Sequence, residues 1–96
     1  MSIRHETSRG VKWYDSENRL HRKDDLPAVE RYDGMNKWYK HGLRHRVGGP
    51  AVINKENQQW YFNGVLHRDD GPAIYIMMEH RYGTFMVNVI VKVVLL

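Results

Sequence analysis

The stretch Trp38-Tyr39-Lys40-His41-Gly42-Leu43-Arg44-His45-Arg46-Val47-Gly48-Gly49-Pro50-Ala51-Val52 aligns without gaps on Trp60-Tyr61-Phe62-Asn63-Gly64-Val65-Leu66-His67-Arg68-Asp69-Asp70-Gly71-Pro72-Ala73-Ile74. The shared pattern is W-Y-x-x-G-x-x-H-R-x-x-G-P-A-[VI], and its period is 22 residues, the distance from Trp38 to Trp60. A looser copy precedes it: Trp13-Tyr14, then Leu20-His21-Arg22, then Leu26-Pro27-Ala28-Val29. That copy has one extra residue before His21 and one more before Pro27, and it lacks both glycines. Self-similarity at this spacing marks a chain built from stacked supersecondary units.

Each unit reads as strands. Gln59-Trp60-Tyr61-Phe62 is a β-rich run that ends at Asn63-Gly64. Asn-Gly favours a type I′ hairpin turn because both central residues need φ > 0. Val65-Leu66-His67 then returns antiparallel. Arg68-Asp69-Asp70-Gly71-Pro72 makes a second turn, with proline at a strand start where its missing N–H does no harm. Ala73-Ile74-Tyr75-Ile76 forms the next strand. Glycine and proline punctuate the chain too often for a long helix between residues 38 and 76. The expected fold is all-β: an antiparallel β-hairpin repeat array running as a meander, with an apolar C-terminal strand. Within one domain, residues 1–96, the expected parts are an N-terminal segment (1–12), hairpin units at 13–37, 38–59 and 60–77, and a divergent tail (78–96).

Composition fits a single small domain. A chain of 96 residues hides only roughly 60–65% of its unfolded surface. It has no cysteine, so neither disulfides nor thiolate metal sites can staple it. Lys+Arg 15 against Asp+Glu 11 gives +4, compatible with an acidic partner yet weak as a sign of nucleic acid. The opening Met1-Ser2-Ile3-Arg4-His5-Glu6 has no apolar run of the kind a secretory leader carries, so a cytoplasmic location is expected.

After Met77 the pattern stops, although the period places the next tryptophan at position 82. Reading the codons from Met77 onward two nucleotides later, with one synonymous choice each, gives D-G-T-Q-I-W-Y-V-H-G-K-R-H-R-E-G-G-P-A, with W at the Tyr82/Gly83 junction. Most letters depend on free third bases; Met77-Met78 forces Asp, Met78-Glu79 forces Gly and Met86-Val87 forces Gly. The tail is therefore expected to be a fourth repeat carried out of frame. Its stretch from Thr84 to Leu96 is β-branched and apolar apart from Asn88 and Lys92, and too short for a membrane span of ~18–20 residues. A strand covering the open end of the array is expected first; left uncovered, residues 84–96 would offer an edge for homo-oligomers.

The motif W-Y-x-N-G-x-x-H-R-x-x-G-P-A resembles repeats in uncharacterised proteins of large DNA viruses and bacteriophages, which are loosely similar to MORN-type repeats. The likeness covers Trp38 to Ile74 well and Trp13 to Val29 poorly. It implies an array of β-hairpins and a viral setting, and transfers no catalytic residue.

The recurring side chains divide into ladders. Trp13, Trp38 and Trp60 are expected to form the core, each with its following tyrosine facing the other way. His21-Arg22, His45-Arg46 and His67-Arg68 are expected to hold the units together, histidine on a loop carbonyl and arginine on a carboxylate such as Asp24, Asp69 or Asp70. Pro27, Gly42, Pro50, Gly64, Gly71 and Pro72 complete this structural set. No metal site is expected, because zinc wants three or four converging ligands and the ladder spaces its histidines apart. No cofactor motif, nucleophile elbow or phosphate loop occurs. A residue type that recurs in every unit is suited to structure, while catalysis uses one asymmetric constellation. The expected function is non-enzymatic: a viral or phage accessory protein presenting a sheet face to a host protein, for instance as an inhibitor of a defence system. A small nucleic-acid-binding module using the basic middle copy is the alternative. Tyr39, Lys40, Arg44, Tyr61 and Phe62 are the expected contact residues.

Overall fold

The computed structural model describes residues 2–80 and 83–89, and within them no helix forms. The strands are β1 (Ile3–Thr7), β2 (Gly10–Tyr14), β3 (Val29–Arg31), β4 (Asn36–Lys37), β5 (Tyr39–Lys40), β6 (Leu43–Arg44), β7 (Val52–Ile53), β8 (Asn57–Gln59), β9 (Tyr61–Phe62), β10 (Val65–Leu66), β11 (Ile74–His80) and β12 (Gly83–Val89). Eight of them form one antiparallel sheet in the order β1-β2-β3-β4-β7-β8-β11-β12. This order follows the chain, so the sheet is a meander. Its two omissions, β5–β6 and β9–β10, are separate two-stranded ribbons.

Tryptophan marks the place where the chain leaves the main sheet for a ribbon. Gln59 to Phe62 is not one strand, as the sequence led us to expect, because the ladder breaks at Trp60. The Trp60 N–H donates to the carbonyl of Ala73 at 2.8 Å, and the Trp60 carbonyl accepts from His67 N–H at 2.9 Å. Its two backbone groups thus belong to different neighbours on the two levels. Trp38 does the same with Ala51 (2.7 Å) and His45 (3.1 Å), and Trp13 with Ala28 (2.8 Å) and His21 (3.0 Å). Three tryptophans with one pair of partners each is the geometric form of the sequence repeat.

The ribbons close as their sequences require. Tyr61–Phe62 pairs with Val65–Leu66 and Tyr39–Lys40 with Leu43–Arg44. Their turn residues all have positive φ: His41 46° and Gly42 84°, Asn63 48° and Gly64 83°. That is the type I′ signature. In the first unit a longer loop replaces the turn, and a lone bridge joins Tyr14 to Leu20.

The core is thin. Ala28 and Ala51 are fully buried, and Val11, Val29, Trp38, Val52 and Ala73 nearly so, yet among the residues whose burial is described no large side chain is completely enclosed. Alanine stands where the tryptophan N–H must reach a carbonyl, so a larger side chain would hold the two levels apart. Of the three tryptophans only Trp38 is buried, because it alone has a unit on either side; Trp13 and Trp60 are half-buried. At the far end β12 pairs with β11 over seven positions, from Ile74↔Val89 to His80↔Gly83. The expected terminal strand is present as far as Val89, and residues 90–96 lie outside the described residues.

Candidate functional site

Each His-Arg pair sits in the loop that follows a ribbon or, in the first unit, the Tyr14–Leu20 bridge. The Arg46 guanidinium lies over the Trp38 ring at 4.0 Å, Arg68 over Trp60 at 4.0 Å and Arg22 over Trp13 at 3.6 Å. Every one of these arginines also donates to the carbonyl of the repeat proline, Pro27, Pro50 or Pro72, at 3.1–3.3 Å. In the second and third units the glycine before that proline covers the other side of the guanidinium: a Cβ on Gly49 would stand 3.0 Å from Arg46 Cζ, and one on Gly71 2.9 Å from Arg68 Cζ. Arginine is thus sandwiched between indole and glycine, a packing that lysine, with its compact ammonium, cannot copy. The carboxylate partners are Glu30 for Arg22 (2.7 Å), Asp25 for Arg46 (2.9 Å) and Asp70 for Arg68 (3.1 Å). Of the three acids expected from sequence, only Asp70 takes an arginine; Asp69 pairs with His67 instead, and the first two arginines reach Glu30 and Asp25.

The histidines work differently from the expected loop-carbonyl contact. His21 Nδ1 accepts the backbone N–H of His41 at 3.1 Å, and His45 Nδ1 accepts that of Asn63 at 3.0 Å. Each is therefore a bond from one unit to the turn of the next, and it needs a ring nitrogen bearing a lone pair. Burial pushes both imidazoles below their usual pKa, and for His21 the neighbouring His41 adds to it. The His21 and His41 rings stack at 4.1 Å, and His45 meets Phe62 at 4.7 Å.

Asp15 is the feature that sequence reading missed. It is buried, and it accepts from the N–H groups of Glu17 (2.9 Å) and Arg19 (3.0 Å), from Arg19 Nε (2.9 Å) and from His41 Nδ1 (2.8 Å). Burial opposes its charge, but these bonds, His41 first among them, outweigh it and hold the carboxyl well below the usual range. With its oxygens so fully engaged, Asp15 ties the first loop to the second unit's turn. The only sequence signal was the Asp-Ser-Glu-Asn run, a turn-forming composition inside the inserted loop.

The five expected contact residues fall into two groups. Tyr39, Arg44 and Tyr61 come together: Arg44 Nε donates to the Tyr39 hydroxyl at 3.2 Å, and a terminal nitrogen donates to the Tyr61 hydroxyl at 3.3 Å. Tyr61 in turn donates to Gln59 of the main sheet at 3.0 Å. The Tyr39 bond leads in holding the Arg44 guanidinium protonated. This trio faces the main sheet and is committed to internal bonds. Lys40 and Phe62, one residue on from each tyrosine, point the other way and are exposed. Leu43, 50% exposed, is cross-strand from Lys40 and rests on Gly64; Phe62 is 50% and Val47 72% exposed. Two equivalent clefts open between successive His-Arg loops. One, of about 370 Å³, is lined by His21, Trp38, Tyr39, Lys40 and Val47; the other, of about 490 Å³, by Val47, Trp60, Tyr61, Phe62 and Arg68.

No protein family, curated protein or solved structure matches this chain. Among the described residues no three His, Cys, Asp or Glu side chains are grouped to hold a metal ion, and no helix is long and apolar enough to cross a membrane. On the outer face of the ribbon row and beside it, the apolar side chains of Leu43, Phe62 and Val47 stand exposed.

Proposed function

We propose that this chain is a non-enzymatic binding module that presents the outer face of its ribbon row, Lys40, Leu43, Val47 and Phe62, to a protein partner. The observation that carries the reading is the exposure of Leu43, Val47 and Phe62 on or beside the ribbon row while the arginines of the His-Arg ladder are each stacked, bonded to a carbonyl and paired with a carboxylate. Clustered exposed apolar side chains mark interaction surfaces, whereas nucleic-acid binding needs cations free to meet phosphates. In the viral or phage setting implied by the sequence resemblance, the partner is a host protein, and interference with a host defence is one use of such contact.

The test is retention of one partner protein at high salt by the full chain and its loss with Phe62→Asp or Leu43→Asp, each variant keeping its unfolding midpoint. Retention on a nucleic-acid column that collapses with rising salt would favour the alternative and refute the proposal.

A further inference from the structure

The two junctions between units are made by one set of bonds. At the first, His41 N–H donates to His21 Nδ1 and Gly42 N–H to the Leu20 carbonyl at 2.8 Å. At the second, Asn63 N–H donates to His45 Nδ1, Gly64 N–H to the Arg44 carbonyl at 2.7 Å, and Arg46 N–H to the Tyr61 carbonyl at 3.2 Å. What docks at each junction is a type I′ turn with His-Gly or Asn-Gly at its tip. What receives it is the histidine ring, the carbonyl before that histidine and, at the second junction, the amide after it.

The third unit displays the same receiving groups: His67 Nδ1, the Leu66 carbonyl and Arg68 N–H. Among the described residues none of them has a partner of the junction type. The ring is already set for the task. His67 Nε2 lies 2.7 Å from Asp69 Oδ1, and since a carboxylate only accepts, Nε2 carries the hydrogen, which makes Nδ1 the nitrogen that bears the lone pair in the ring's neutral form. The chain does not bring its own next turn to this place. One period beyond Asn63-Gly64 stand Phe85 and Met86, and these pair with Met78 and Met77 in the main sheet. Among the described residues the main sheet is thus extended by β12, while the ribbon row stops at β10.

We propose that the free edge of the last ribbon, at Leu66, His67 and Arg68, is a docking site for a type I′ β-hairpin turn with Asn-Gly or His-Gly at its tip. The occupant is a hairpin of another molecule, received by a continuation of the junction that the protein makes twice within itself. This surface is the end of the ribbon row and is separate from its outer face.

The test uses the full chain, nitrogen-15 labelled, and a head-to-tail cyclic peptide. The peptide carries Trp60-Tyr61-Phe62-Asn63-Gly64-Val65-Leu66-His67 closed by D-Pro-Gly, which joins the hydrogen-bonded pair His67 and Trp60, since an open hairpin of this size is marginal in water. Saturable amide shifts centred on residues 65–68 are expected. Replacing the peptide's Asn63 by D-proline keeps the hairpin but removes the N–H aimed at His67, and should weaken binding about fivefold to tenfold, the worth of one net hydrogen bond. His67→Ala in the chain, at an unchanged unfolding midpoint, should do the same. Absence of saturable shifts up to millimolar peptide, shifts centred elsewhere, or equal affinity for the D-proline peptide would overturn the proposal. So would finding the edge already filled in the free protein, whether by self-association in sedimentation or by tail methyl contacts to Leu66 and His67.

Discussion

The sandwich of Trp38, Arg46 and Gly49 yields a prediction in which one substitution changes sign with its background. Gly49 does not have positive φ, so alanine can adopt its backbone. Alone, Gly49→Ala should stabilise by about 0.4–1 kcal/mol through the narrower unfolded ensemble. In the native chain, however, the new methyl meets Arg46 Cζ at 3.0 Å, Nη1 at 3.1 Å and Nε at 3.2 Å. The guanidinium must lift, loosening a cation–π contact of about 0.5–2 kcal/mol and its 3.1 Å bond to Pro50, itself worth about 1 kcal/mol. Gly49→Ala should therefore destabilise by about 0.5–1 kcal/mol when Arg46 is present and stabilise by about 0.5 kcal/mol after Arg46→Ala. The coupling is about 1–1.5 kcal/mol, outside the ~0.5 kcal/mol expected of independent sites. Urea unfolding followed by tryptophan fluorescence, with the denaturant slope unchanged, measures all four corners of the cycle. Additive effects of one sign would show that glycine is not there to seat the guanidinium.

Acid should weaken the fold. Because burial holds the His21 and His45 rings below their usual 6.5, the unfolded chain takes up protons first as pH falls. Stability is full above about pH 6.5 and declines from there until the folded rings titrate; a denaturation midpoint that is flat or rises from pH 7.5 to 5.5 would contradict this. Gly10→Ala should destabilise by more than about 2 kcal/mol, because its Cβ would collide with the Glu30 carbonyl of the neighbouring strand; an unchanged melting temperature would be the contrary result. Ala51→Leu should cost about 1–3 kcal/mol by overpacking where Ala51 has no exposed surface, and calorimetry decides it.

The hairpin turns, the glycine-proline turns and the strands after Ala28, Ala51 and Ala73 were legible because each rests on local backbone chemistry. Asn63-Gly64 can hardly do anything else. The bend at tryptophan was not legible, since Trp60 looks like any β-forming residue in a β-rich run. Its departure from the main sheet follows from two long-range bonds, to Ala73 and His67. The arginine ladder was expected to find carboxylates and did, but which ones depended on loop paths: Asp25 reaches Arg46 across a unit boundary. Strand facing at Tyr39, Lys40, Arg44, Tyr61 and Phe62 is not written in the sequence, because the break at each tryptophan sets it. Alternation then sent Tyr39, Arg44 and Tyr61 toward the sheet and left Lys40 and Phe62 outside. Asp15 escaped notice because its partners come from the inserted loop and from His41, twenty-six positions on.

The amide-to-imidazole bond between units gives the protein a polarity that its flat sheet conceals. The turn flank of a block donates to the ring and carbonyl of the histidine flank before it at both junctions, and at the second it also accepts the Arg46 N–H. A tandem duplication of one 22-residue block would therefore slot into the middle of the chain with both seams already complementary. Lengthening by whole blocks requires no new chemistry, whereas a change at a single histidine or turn leaves a mismatched seam that no other block can absorb.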